Sequence, residues 1–179
     1  HVYTLAQELD LPCLSIHQLK DMSRSRGLHL GFSVRFNKIL SLETINIFED
    51  GVINAHGGPL PHYRGVDANI HAIINNEDEF GAALHFLDEG IDTGDIIDRS
   101  RFAIKATDSG YDLFCRAEES LWKLFKNNID RVLSGEINAT PQNEFLRKGE
   151  KARTYYKYER ESLRQVDVIN NPVEAHRIA

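Results

Sequence analysis

Cysteine is almost missing from this chain. The 179 residues hold two, Cys13 and Cys115. They lie far apart with neither metal-type nor redox-type spacing, which argues against a disulfide framework, a cysteine zinc site or a CxxC centre and leaves two buried free thiols as the expectation. No apolar run approaches the roughly 20 residues that a membrane-spanning helix needs, so no membrane role is expected. A basic surplus is lacking too: 27 acidic against 21 basic residues give a net charge of −6. Such a field repels a polyanion, and no nucleic-acid partner is expected. The glycines at 51, 57, 58, 65, 90 and 94 fit neither G-x-G-x-x-G nor a Walker pattern, so a nicotinamide or ATP site has no support. No charged n-region or signal-like apolar segment opens the chain. A cytoplasmic location is therefore expected, and the sequon Asn138-Ala139-Thr140 is read as chance.

What remains is an ordinary globular composition, 41% hydrophobic and 27% charged, with enough length for one well-buried domain and a small appendage. Leu5, Ala6 and Leu9 recur at helical spacing over 2–9, and Asp10-Leu11-Pro12 ends that pattern before an extended run over 13–16. A short polar helix over 15–26, with Leu19 and Met22 inward, stops at Gly27. A strand follows over 28–34, and Ser41 is a credible N-cap for a helix burying Leu42, Ile45 and Phe48. Val52 and Ile53 begin a strand that Gly57, Gly58, Pro59 and Pro61 forbid from continuing. A helix is read over 67–75 and strands over 82–87 and 96–104. Thr107-Asp108-Ser109 then starts the longest helix, with apolar residues at threes and fours from Leu113 to Leu133 and a stop at Ser134-Gly135. Strands alternating with helices imply an open α/β sheet whose ligands gather outside the carboxyl ends of strands.

At one such end stand Asn54 and His56. Residues two apart on a strand point the same way, so an amide donor and a titratable base face one volume. That pairing suits acyl transfer, in which a carbonyl oxygen gains charge while an amine sheds a proton. Asp92, in the acidic turn after the strand carrying His85, is the candidate to orient the imidazole. Plainer readings stand beside these. Asp88, Glu89, Asp92 and Asp95 also fit a solvated acidic turn, and His85 fits a hydrogen-bonded core residue. A metal site of His56, His62, His85 and Asp92 is disfavoured because the Gly-Gly-Pro-Leu-Pro spacer aims the two histidines apart. The segment 151–160, with Tyr155, Tyr156 and Tyr158 among Lys151, Arg153, Lys157 and Arg160, offers groups that stack a base and pair a phosphate, and equally fits a packed hairpin or tail.

Asn54-x-His56, Pro59-Leu60-Pro61-x-Tyr63-Arg64-Gly65 and the run His85-Phe86-Leu87-Asp88-Glu89-Gly90-Ile91-Asp92-Thr93-Gly94 resemble, without gaps inside each block, the formyltransferases that use formyl-tetrahydrofolate. The resemblance implies an open Rossmann-like, mostly parallel sheet flanked by helices. It assigns 1–136 to a catalytic domain whose first strand is missing and 137–179 to a C-terminal extension that begins a smaller subdomain. It makes Asn54, His56 and Asp92 catalytic, with His85 behind them. Phe36, Lys38, Ile39, Leu40, Leu87, Asp88 and Asp92 fall to the folate, although Ile39 and Leu40 alone would read as core. Gly57, Gly58, Pro59, Tyr63 and Arg64 fall to the acceptor, and no metal is expected. The co-substrate implied is N10-formyltetrahydrofolate. The acceptor favoured is an amino group on a nucleotide-linked sugar, with methionyl-tRNA, glycinamide ribonucleotide, water or an inactive binding domain as alternatives. A homodimer is left open. In this scheme Asn54 donates to the oxyanion and His56, paired with Asp92, is favoured as the cation.

Overall fold

The computed structural model describes residues 2–36 and 38–159. In chain order the elements are α1 (Val2–Glu8), α2 (Ile16–Ser23), β1 (Gly31–Val34), α3 (Leu42–Ile45), β2 (Val52–His56), β3 (Arg64–Gly65), α4 (Ala68–Ile74), β4 (Glu79–Phe86), β5 (Ile96–Ala103), α5 (Gly110–Leu133), α6 (Gln142–Arg147) and β6 (Thr154–Tyr155). The main sheet runs β1-β2-β4-β5, and β3 pairs with β6 apart from it. β1 and β2 are parallel, while β2 with β4 and β4 with β5 are antiparallel. The open α/β sheet is as expected, but its parallel character is confined to β1 and β2 among the described strands. For β4 and β5 the reason is local: β4 returns as β5 through the turn 87–95, which is too short for the crossover that parallel neighbours need.

The core forms where the sheet meets α4 and α5. Ile53, Phe80, Ala82 and Leu84 pack against Ala68, Ala72 and Ile73 of α4 and against Leu113, Ala117, Leu121, Leu124 and Val132 of α5. Those α5 positions recur at threes and fours, as an amphipathic helix requires. Its start is fixed by a capping box, in which Ser109 Oγ accepts from the Asp112 amide and the Asp112 carboxylate accepts from the Ser109 amide.

Residues 137–159 are tied into this unit. Thr140 bridges Ile96 of β5, β6 runs parallel to β3, and Arg99 of β5 holds Glu150 through both of its terminal nitrogens at 2.7 Å. Tyr155 is 1% exposed, stacked 5.1 Å from Tyr63 and 4.1 Å from His71. Of the two readings of this segment the packed one holds for Tyr155, since burying the ring in the β3–β6 junction leaves no free face for a base. Tyr156 and Tyr158 stay exposed, stacked on each other at 5.5 Å. Arg160 and the rest of 160–179 lie outside the described residues.

The N-terminal reading needs three corrections. Residues 13–15 are not a strand, because Ser15 is recruited as the capping residue of α2, with Gln18 reaching back to its amide. Cys13 is exposed and Cys115 only half-buried, since neither α1 nor α2 buries a residue and Cys115 lies beyond the fully buried stripe of α5. Ser41 does cap α3, but that helix is so short that it buries Ile45 while Leu42 stays exposed. Among the described residues no helix is long and apolar enough to cross a membrane.

Candidate functional site

β2 runs through His56, so the period of two places Asn54 and His56 on one side of the strand, and the antiparallel register sets His85 of β4 directly opposite Asn54. The turn 87–95 brings Asp92 onto the same spot. Its Oδ2 lies 3.4 Å from His56 Nδ1 and accepts the Gly65 amide at 2.8 Å; its Oδ1 lies 3.4 Å from His85 Nε2 and 3.4 Å from Asn54 Nδ2. His85 Nδ1 sits 2.7 Å from the Phe86 carbonyl, which can only accept, so that nitrogen carries the proton. Nε2 of His85 is then free to accept from Asn54 Nδ2 at 3.1 Å. The Asn54 amide is thereby oriented. His56 Nε2 donates in the same way to the Tyr63 carbonyl at 2.6 Å, leaving Nδ1 turned to Asp92. Gly58 makes room for this, since a Cβ there would lie 2.8 Å from His56 Nε2 and 2.8 Å from the Tyr63 oxygen.

Burial pushes the His56 pKa down, and His85 adds to that, against the opposing pull of the Asp92 carboxylate and the Tyr63 carbonyl. The imidazole is thus held neutral near pH 7, which corrects the expectation of a resting cation: the loss of hydration at a buried ring outweighs a single carboxylate. Burial alone would raise Asp92, but the charge of His56 once protonated and the hydrogen bond from the Gly65 amide pull the other way, and the carboxyl stays below the usual range. The Gly65 hydrogen bond keeps that ionised form favoured whichever state His56 is in. His62 and His71 are also lowered, chiefly by burial. The sign follows from linkage: a histidine lowered in the fold leaves the unfolded chain binding more protons once the pH drops below about 6.5. Stability is full above that value and is lost as the pH falls toward the folded-state pKa values, and Asp92 adds its own loss at lower pH. A melting series from about pH 7.5 to about pH 5.5 is expected to show a Tm that is level down to about pH 6.5 and falls below it. A flat Tm across that window would contradict the assignment of neutral buried histidines.

Asn54, His56, Gly65 and Asp92 line a cavity of about 710 Å³. Its walls include Phe36, Lys38, Ile39, Leu40, Leu87 and Asp88, so every residue assigned to the folate side faces the same space as Asn54, His56 and Asp92. Ser33, Arg35, Phe114, Ala117, Glu118 and Lys157 also face it. Arg35 pairs with Glu118 at 3.1 Å and lies over the Phe114 ring. Residues 16–127 match the family described as formyl transferase.

The chain belongs to the formyl transferase family. Among its relatives is the methionyl-tRNA formyltransferase of Methylacidiphilum infernorum (isolate V4), 34% identical over 111 residues, which are 62% of this chain and 35% of that one. The fold is similar to an N-formyltransferase from Helicobacter canadensis solved with folinic acid and dTDP-3-aminofucose, at 29% identity and a TM-score of 0.71, covering 86% of this chain and 53% of that one. It is also similar to WlaRD, a sugar 3N-formyl transferase solved in the presence of dTDP and 5-N-formyl-THF, at 26% identity and a TM-score of 0.72, covering 88% and 53%. The chain thus spans about a third to a half of the length of these proteins.

Of the residues of this formyl transferase chain that the resemblance assigned to the acceptor, Gly57 lines the cavity, whereas Gly58, Pro59, Tyr63 and Arg64 are not among its lining. Tyr63 is buried, donating its hydroxyl to Glu77 and stacking on Tyr155, so only its carbonyl serves the site. Arg64 turns instead to Gln142. Sequence reading missed the Gly65 amide and Gln142, and named Lys157 only as one of the basic residues of 151–160. The first is a backbone group, and the second reaches the site from a sequence-distant segment.

Proposed function

We propose that this chain carries the site of an enzyme that transfers a formyl group from N10-formyltetrahydrofolate to the amino group of a nucleotide-linked sugar. The observation that carries the reading is the meeting of Asn54, His56 and Asp92 within hydrogen-bond or near hydrogen-bond distance in the wall of a cavity whose volume lies in the roughly 300–1,000 Å³ range of small-molecule sites. Transfer forms a bond from the amine nitrogen to the formyl carbon, breaks the bond from that carbon to N10, and moves one proton off the amine. Neutral His56 accepts that proton at Nδ1 and gives it up to N10 as the bond from the formyl carbon to N10 breaks, so that tetrahydrofolate leaves as the neutral amine. Between the two transfers the imidazolium lies between two acceptors, the Tyr63 carbonyl and the Asp92 carboxylate. Asn54 supplies the donor for the oxyanion. One of its amide protons is committed to His85, while the 3.4 Å contact to Asp92 exceeds an ordinary hydrogen bond and is the one exchanged for the developing charge.

The folate assignment rests on the wall formed by Phe36, Lys38, Ile39, Leu40, Leu87 and Asp88. Ile39 is 78% exposed, so placing a charge there costs the fold little. Ile39→Asp is expected to weaken a folate analogue at least about tenfold while leaving Tm within a degree or two of wild type. Unchanged analogue binding, read by calorimetry, would move the folate pocket elsewhere.

For the acceptor, the acidic net charge disfavours tRNA, and Lys157 in the cavity wall beside exposed Tyr156 and Tyr158 suits a nucleotide carrying phosphate. The identity to methionyl-tRNA formyltransferases favours the second reading, transfer to a charged tRNA. Incubating the protein with formyl-tetrahydrofolate and, separately, several nucleotide amino sugars, initiator methionyl-tRNA and glycinamide ribonucleotide decides between them. Formylation of a sugar is expected. Formylation of the tRNA or the ribonucleotide alone would replace the acceptor and leave the chemistry intact.

A further inference from the structure

Gln142 lies outside every motif used so far and outside the matched family segment. It opens α6, is 4% exposed, and has its side-chain amide partnered on both sides. Nε2 donates to the Asp92 carbonyl at 2.9 Å and to the Gly94 carbonyl at 2.8 Å, while Oε1 accepts from Arg64 Nε at 3.0 Å and from Arg64 Nη2 at 2.7 Å. Gly65, next along from Arg64, gives its amide to the Asp92 carboxylate. The contacts therefore close a ring: Gln142 grips the backbone of Asp92 on one side and the loop that grips its carboxylate on the other. Asp92 sits at a φ of +52°, in the left-handed region that is less favoured outside glycine, and these contacts help to hold it there.

We propose that Gln142 is a positioning residue that fixes the Asp92 carboxylate against His56 and Asn54, so that residues beyond 136 complete the site. This rests on the reading of Asn54, His56 and Asp92 given above. Only a primary amide of this length serves. Glutamate keeps the acceptor for Arg64 but sets oxygen against the two carbonyls, leucine keeps the volume and loses both functions, and asparagine is one methylene short.

The test has two readouts on the full-length protein, the NMR titration of His56 and the pH profile of kcat/KM. Facing His56 are Asp92 from the 87–95 turn, His85 from β4 and the Tyr63 carbonyl, while Arg35, Lys38, Asp88, Glu118 and Lys157 stand around the same cavity. If Asp92 drifts away, His56 loses the one carboxylate that raises its pKa. In folded Gln142→Leu and Gln142→Glu, His56 is therefore expected to titrate at lower pH and the acid limb of the profile to follow it. The displacement is expected to lower kcat about 10- to 100-fold, with a smaller change in KM for the folate. Should the leucine variant fail to fold, Gln142→Asn is read in the same way, with a smaller shift in the same direction expected. A His56 titration and kcat as in wild type, with only Tm reduced, would overturn the proposal and leave Gln142 a structural residue. If the wild-type protein transfers no formyl group, the functional reading fails by itself, and the titration still decides the positioning.

Discussion

His56→Ala is expected to lower formyl transfer by about a hundredfold or more while a non-reactive folate analogue still binds, because the ring supplies proton acceptance and does not form the folate wall. Asn54→Ala is expected to fall by a comparable factor, through loss of the donor that meets the oxyanion. The two losses have different signatures. Removing His56 deletes the limb of the pH profile set by its depressed pKa, whereas removing Asn54 keeps that limb and lowers the plateau. Steady-state kinetics across pH, with calorimetry of the analogue, read both. Wild-type turnover in folded His56→Ala would end the account of the proton acceptor.

The second large effect falls on a glycine. Gly65 has a φ of +87°, and a Cβ there would run into the backbone of Tyr155 within the β3–β6 pair. Gly65→Ala therefore combines conformational strain with displacement of β6, and it moves the amide that holds Asp92. The expected cost is at least about 2 kcal/mol of stability, or a fall in Tm of about 4–8 °C, together with loss of most of the activity. Gly135 is the matched control: its φ is +76°, but nothing lies within 4 Å of an added Cβ. Gly135→Ala is expected to show the conformational loss alone and to keep full turnover. Equal effects of the two substitutions on stability and turnover would show that the Tyr155 contact and the Asp92 amide are without consequence.

The residues of the site were legible where local rules govern. Alternation along a strand put Asn54 and His56 together, the Thr107-Asp108-Ser109 start and three-four spacing gave α5, and glycines and prolines marked the end of β2. Pairings made over long sequence distances were not legible. Nothing near Tyr155 signals that its ring closes the core against Tyr63 and His71, so an aromatic beside basic residues fitted a ligand platform and a packed tail equally well. Nothing near Gln142 signals that its amide reaches the turn at 92–94, because a lone glutamine after a proline is an ordinary surface pattern. The charge state of His56 went wrong for a related reason. The sequence offers the favourable partner, Asp92, but not the burial that outweighs it.

The central claim is that Asn54, His56 and Asp92 move a formyl group onto an amine. The most direct measurement supplies formyl-tetrahydrofolate labelled isotopically in its formyl carbon, together with a nucleotide-linked amino sugar, and follows the label by NMR with wild-type protein and with His56→Ala. The account predicts that the label appears as a formamide on the sugar with the wild-type protein and stays on the folate with the variant. Label released as free formate, or transferred equally well by the variant, would contradict it.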